Sequence, residues 1–393
     1  MNTADFVKKY QADRHQTDSV KWDGLQQEFG RSDLLPLWIA DADFKSPQAV
    51  IAALQKNVAQ GVFGYSMTPK SFFAAYANWQ KQHYQTELHP EWLRFGTGVV
   101  QSISTLINIL TQPQAAVMVL QPVYFPFMQV IKNNNRQLVV SELKTVDHHY
   151  EMDFADIKQK IEKNHVRLLI NCSPHNPGSR VWSEAELATL LDICREYEVL
   201  LISDEIHHDL LPGKKNFISA LSIKNGFYRD NLIVVDAASK TFNLAGLKNS
   251  QVIIPNPQLQ MRYDAAMERL AAPAGTYLGQ VAAQAAYQNG QEWLDGLLAV
   301  IRGNFAQVKE LEVFQPKIKV YDLEGTYLAW VDLSRVIAPE QLSRILVTQA
   351  KLAVNLGEMF GPSGRGFIRI NLATAPSLIA EAVKRLKKVI ENK

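Results

Sequence analysis

Cysteine is almost absent: Cys172 and Cys194 are the only two in 393 residues. Two thiols cannot build a disulfide framework, which excludes a small stapled secreted scaffold and fits a reducing compartment. Charge of one sign is lacking too, with 41 Lys plus Arg against 39 Asp plus Glu and a net charge of +2. Binding a phosphate backbone or an anionic bilayer needs a basic excess, so neither nucleic acid nor a membrane is an expected partner. No apolar run approaches the ~20 residues that span a bilayer. The opening Met1-Asn2-Thr3-Ala4-Asp5-Phe6-Val7-Lys8-Lys9 lacks the apolar stretch of a secretory signal, and the cytoplasm is the expected location. There is no repeat, no low-complexity linker and no G-x-x-x-x-G-K-[ST] phosphate loop. His207 and His208 stand beside Asp204 and Asp209, but adjacent histidines rarely share one ion, and no Cys/His spacing supports a site. No metal is expected.

What is present looks like an enzyme of ordinary composition, long enough for two or three domains. Its middle alternates short apolar runs with helical periodicity. Leu168-Leu169-Ile170 leads into Cys172-Ser173-Pro174-His175-Asn176-Pro177, and Val199-Leu200-Leu201-Ile202 into Ser203-Asp204-Glu205. Leu232-Ile233-Val234-Val235 leads into Ala238-Ser239-Lys240-Thr241. Ser183 and Glu186 form an S-x-x-E capping box, followed by Leu187, Leu190, Leu191 and Cys194 at helical spacing. A helix between two buried strands makes a β-α-β unit with parallel strands. Earlier, Trp92-Leu93-Arg94-Phe95 runs into Gly96-Thr97-Gly98 and a helix carrying Ile103, Leu106, Ile107 and Leu110, and Ala116 to Leu120 is a further buried strand. After about residue 286 the pattern changes. Gly325 to Asp332 and Gly366 to Asn371 read as strands of a mixed sheet, and Ile379 to Ile390 as an amphipathic helix. The expected organisation is an N-terminal segment 1–47 lying against a small α+β domain at 287–393, with a large mainly parallel α/β/α domain at 48–286.

In a parallel sheet, ligands bind beyond the carboxyl ends of the strands. Asn176, Asp204 and Lys240 each follow such an end, so an amide, a carboxylate and an amine should converge on one pocket. That set suits pyridoxal phosphate held as a Schiff base on Lys240, with the protein tuning the ring and orienting the reacting bond. Asp204 beside the pyridine nitrogen would keep it protonated, because an adjacent negative charge favours the cation; a strand-end Asp capping a turn is the plainer alternative. Lys240 would anchor the aldehyde and, once released, move the substrate Cα proton. A surface lysine is its alternative, though a poor fit directly after an apolar strand. Asn176 would hydrogen-bond the phenolic ring oxygen, or else only form a turn before Pro177. Tyr124 offers a flat face for the ring, or is an ordinary core tyrosine. A dianionic phosphate wants backbone N–H groups at a helix start. Val99 and Val100 supply them after Gly98, with a hydroxyl from Ser239 and a charge from Lys248. Arg369, among Phe367, Ile368 and Ile370, needs a partner there. Its fork matches a substrate carboxylate, with an internal salt bridge as the alternative. Glu205 points away from Asp204 and reads as structural.

In order and content these motifs resemble the fold-type I (aspartate aminotransferase-like) PLP enzymes, and among them the MalY/PatB-type cystathionine β-lyases, or C–S lyases. The likeness runs from Leu35-Pro36-Leu37-Trp38-Ile39-Ala40-Asp41-Ala42-Asp43-Phe44 to Gly366-Phe367-Ile368-Arg369-Ile370-Asn371. Between them lie Gly61-Val62-Phe63-Gly64-Tyr65-Ser66, the Asn176 and Asp204 motifs, and Ser239-Lys240-Thr241-Phe242-Asn243. The resemblance implies a homodimer with shared sites, in which Tyr65 reaches the phosphate of the neighbouring subunit. It also implies His207 at the cofactor, in the D-E-I-H form of the lyase branch, and Ala40 with Asn176 and Arg369 at the substrate. The implied reaction is α,β-elimination of L-cystathionine, or another S-substituted L-cysteine, to pyruvate, ammonia and a thiol. Two features depart from the pattern. Gly178-Ser179 stands where the family has a small or β-branched residue and then Gly, and Lys248 stands where many transaminases carry Arg. An aminotransferase on the same scaffold would use the same residues. A non-catalytic regulatory or protein-binding role is the alternative of another class, and the complete catalytic set argues against it.

Overall fold

The structure, a computed structural model, describes residues 1–271 and 275–392. Its large sheet has seven strands: β1 (Leu93–Gly96), β2 (Ala116–Gln121), β3 (Gln137–Glu142), β4 (Leu168–Cys172), β5 (Leu200–Asp204), β6 (Leu232–Asp236) and β7 (Ser250–Ile253). Their spatial order is β1-β7-β6-β5-β4-β2-β3. Strands β2 to β6 are parallel, while β7 runs antiparallel to both β6 and β1. Every residue of β2, β4 and β6 is buried. Continuous apolar runs of this kind belong to sheets covered on both faces. The β4–β5 crossover helix, Glu184–Glu196, starts at the expected capping box: Ser183 Oγ accepts Glu186 N–H (3.2 Å), and the Glu186 carboxylate accepts Ser183 N–H (2.8 Å). Asp204 lies inside its strand, as the last residue of β5, opposite Cys172 and Val235.

The second sheet contains β8 (Lys319–Val320), β9 (Leu328–Asp332), β10 (Asn355–Leu356) and β11 (Phe367–Asn371), in the order β8-β9-β11-β10. The sequence suggested a mixed sheet, but every pairing in it is antiparallel. Short apolar runs carry no signal of direction, and that expectation is corrected here. β9 also begins later than Gly325, because Thr326 is left-handed (φ 62°) and breaks the extended backbone. At Gly325, a Cβ would lie 2.6 Å from Pro174.

The N-terminal residues pack beside this second sheet. Leu35–Pro36 pairs in parallel with Leu352–Ala353. Helix Thr3–Tyr10 packs on the long helix Gln291–Phe314, where a Cβ on Gly296 would meet the Phe6 ring at 2.3 Å. The C-terminal helix Pro376–Glu391 covers the same long helix. The unusual Gly178-Ser179 pair joins the two sheets. A side chain at 178 would strike the Tyr150 ring at 2.5 Å. Ser179 takes a left-handed φ of 54°, and its Oγ bonds Thr326 Oγ1 (2.8 Å) and Leu328 O (2.7 Å). Two hydrogen bonds thus hold a left-handed conformation that ordinarily favours glycine. Among the described residues, no helix is long and apolar enough to cross a membrane.

Candidate active site

A cavity of about 460 Å³ opens at the carboxyl ends of β4, β5 and β6. Asn176, Asp204 and Lys240 all line it, brought together from three successive strand ends. Asp204 is buried, and burial pushes its carboxyl up to about 7; neighbouring Asp236 and Glu205 push the same way. Ile206 N–H donates to it at 3.0 Å, and among the described residues no cation pairs with it within ion-pair distance. Lys240 sits on the single turn Ala238–Thr241 and donates to the Ala40 carbonyl at 2.7 Å. Burial pulls its amine down to about 8, against Asp41 and Asp204, which raise it. A carboxylate short of a cation and an amine partly freed of its proton therefore share one cavity.

The other end of the cavity suits an anion. Val99 and Val100 open the helix Val99–Leu110, whose N-cap Gly98 offers no side-chain cap. Their N–H groups are the orphan donors of a helix start, the standard seat for phosphate. Ser239 and Lys248 line the same region. Asn249 does so too, and both polar atoms of its side chain are buried without a partner. Tyr124 and His207 complete the walls. Burial raises the Tyr124 hydroxyl and holds His207 well below its ordinary value, so His207 is neutral, with Nδ1 unpaired. These features fit pyridoxal phosphate: a lysine for the aldehyde, an acid for the ring nitrogen, and free donors for the phosphate.

Arg369 lies just behind Asn176. Its guanidinium donates to Asn176 Oδ1 (2.9 Å), Asn355 Oδ1 (2.6 Å) and the Trp38 carbonyl (3.2 Å). No described carboxylate forms a salt bridge with it, so the internal ion pair offered as its alternative is not there. Its charge rests on amide dipoles and on the Phe360 ring, 4.8 Å from the ring centre. Burial lowers it to about 10. Arg369 is set behind the cavity wall rather than in it, and Tyr65 lies away from the cavity altogether, fully exposed on an irregular stretch together with Val62, Phe63 and Met67. Glu205 faces inward and accepts from Ser203, Ser219 and the Ala220 N–H.

Sequence reading missed several contributors. Tyr327 donates to the same Ala40 carbonyl as Lys240, at 2.8 Å. Within an apolar run nothing marked it as polar-facing. A buried network also backs the lysine turn: Asp209 accepts from Thr241 Oγ1 (2.7 Å) and Trp79 Nε1 (2.9 Å), and Asp236 from Tyr76 (2.9 Å). His208 joins it, 3.3 Å from both carboxylates. Burial opposes its charge, but Asp209 and Asp236 outweigh burial and raise it to about 10. Three distant segments meet there, with no local pattern to announce them.

A lysine-and-aspartate cavity at the carboxyl ends of adjacent parallel strands, in a chain that adds a second, antiparallel sheet, defines a fold-type I cofactor enzyme. Residues 32–386 match Aminotransferase class I and II, and the chain belongs to that family. It is 33% identical to cystathionine beta-lyase PatB of Bacillus subtilis, over 94% of this chain and 96% of that protein. Among solved structures it is similar to a PLP-bound protein of Clostridium difficile, provisionally described as an aminotransferase (TM-score 0.93, 39% identity, 97% of this chain and 99% of that one). It is also similar to cystalysin of Treponema denticola, which contains pyridoxal 5'-phosphate (TM-score 0.92, 32% identity, 97% and 98%).

Proposed function

We propose that this protein is a pyridoxal phosphate-dependent carbon–sulfur β-lyase acting on L-cystathionine or other S-substituted L-cysteines. The observation that carries the cofactor is the Lys240–Asp204 pair in one cavity with an uncapped helix start. The full-length likeness to a cystathionine beta-lyase favours elimination over transamination.

When bound, the cofactor supplies an electron sink for the substrate Cα. Lys240 would hold its aldehyde carbon through Nζ, and Asp204 would keep a proton on the ring nitrogen. Asn176 has its Oδ1 engaged by Arg369 and so presents Nδ2, a donor for the ring oxygen. Val99 and Val100 N–H, Ser239 and Lys248 would hold the phosphate, and Tyr124 would shield the ring from water. Arg369 receives the substrate carboxylate, with Ala40 and Asn176 beside it. Lys240 would then take the Cα proton, its lowered pKa placing the free amine within reach of neutral pH. The β-thiolate then leaves, and hydrolysis of the remainder gives pyruvate and ammonia.

Exposed Tyr65, Val62 and Phe63 support a homodimer in which Tyr65 completes the partner's phosphate site. Two buried free cysteines support residence in the reducing cytoplasm. The test is incubation with L-cystathionine and no 2-oxo acid. Multiple turnovers of pyruvate, ammonia and thiol support the lyase; turnover only after adding pyruvate or 2-oxoglutarate would establish the aminotransferase instead.

A further inference from the structure

Residues 37 to 44 form an irregular strap that reaches the cavity at Ala40, and an irregular buried backbone must find partners outside secondary structure. Every carbonyl from Leu37 to Phe44 is satisfied, largely by side chains from opposite sides. Asn371, at the end of β11, donates through Nδ2 to the carbonyls of Ile39 and Asp41, both at 2.6 Å. Asn243 donates through Nδ2 to Ala42 O and Phe44 O, both at 3.0 Å, while its Oδ1 accepts Ala42 N–H at 3.2 Å. Between these two amide clamps lies the Ala40 carbonyl, which receives Lys240 Nζ and the Tyr327 hydroxyl. Asn243 is three residues beyond Lys240 and is left-handed, at φ 60°. That geometry turns its amide from the lysine's own turn back onto the strap.

We propose that Asn243 and Asn371 are positioning residues for Lys240. They hold the strap so that the Ala40 carbonyl anchors the free amine when it is not bound to the cofactor. Asn371 lies two residues beyond Arg369 on the same strand, and Arg369 itself holds the Trp38 carbonyl. The strap therefore ties the carboxylate-binding strand to the lysine turn. The inference rests on Lys240 being the cofactor lysine, as proposed above.

The experiment uses full-length protein stripped of cofactor. Pyridoxal phosphate is added across a pH series, the imine is trapped with borohydride, and the labelled lysine is mapped. The acid limb of the rate reports the amine's ionisation. Asn243→Gly removes the amide without strain at a positive φ. Losing a hydrogen bond to a charged donor should move the limb down by about one pH unit and slow the plateau about tenfold. Asn371→Ala, releasing the strap from its other side, should do the same. Tyr327→Phe keeps both clamps and removes the competing donor from the Ala40 carbonyl, so the limb should move up; an unmoved limb removes the Ala40 anchor and overturns the positioning role even where an asparagine variant fails to fold. Wild-type label on another lysine overturns the site assignment. Label on Lys240 with limb and plateau unchanged in the folded variants, even if their melting temperatures fall, overturns the positioning role alone.

Discussion

Stripped of cofactor, the Asp204→Asn protein should be more stable than stripped wild type at pH 8, although the same change weakens the cofactor-bound form. Burial lifts the Asp204 carboxyl from 3.8 to about 7, whereas the unfolded chain titrates near 3.8. Below that value both states are protonated and the group is neutral to folding. As pH rises from 3.8 through 7, the unfolded chain ionises first, and each unit lowers native stability by about 1.4 kcal/mol. By pH 8 the cost totals on the order of 4 kcal/mol. Asparagine carries no such charge and keeps an oxygen for the Ile206 N–H. Urea unfolding from pH 4 to 8.5 should show the variant's advantage growing from near zero to a plateau above pH 7. Saturating pyridoxal phosphate should reverse the order, because only the carboxylate pairs with the protonated ring. A stripped variant less stable than wild type across the whole range refutes the assignment of Asp204 as an unpaired buried acid awaiting a cation.

Three further outcomes follow from named contacts. Gly178→Ala places a Cβ 2.5 Å from the Tyr150 ring, so the melting temperature should drop by an amount equivalent to about 1–3 kcal/mol; an unchanged melt contradicts the packing. Arg369→Lys keeps the charge but loses the planar fork. Its KM for an amino-acid substrate should rise about tenfold, from the loss of one charge-assisted hydrogen bond, and an unchanged KM removes Arg369 from carboxylate recognition. Lys240→Ala and Tyr65→Ala chains, each inactive alone, should regain partial activity when mixed as heterodimers, because one hybrid site carries both wild-type residues. No recovery in verified heterodimers would place Tyr65 outside its neighbour's site.

Asn176, Asp204 and Lys240 were legible because each is a polar residue at the end of an apolar run, and parallel sheets gather their strand ends. The capping box at Ser183 was legible because its two partners lie three residues apart. The direction of the small-sheet strands was not, since a short, continuously buried apolar run looks the same in either sense. Asn243 and Asn371 were visible as motif letters, but an asparagine in a loop reads as a turn former. Their work lies in contacts some 200 and 330 residues away in sequence, with a strap that has no periodicity of its own. The His208–Asp209–Asp236 network was hidden for the same reason. Tyr65 lies outside the cavity of its own chain, so its proposed role needs a surface that one chain does not contain.

The central claim is tested most directly by following the absorption of the cofactor-bound protein while L-cystathionine alone is consumed to exhaustion. The account predicts a yellow, lysine-bound form at the start that returns in full at the end, with borohydride then fixing the label on Lys240. Conversion to a colourless amine form that borohydride no longer fixes to the protein, and that recovers only when a 2-oxo acid is added, would contradict it.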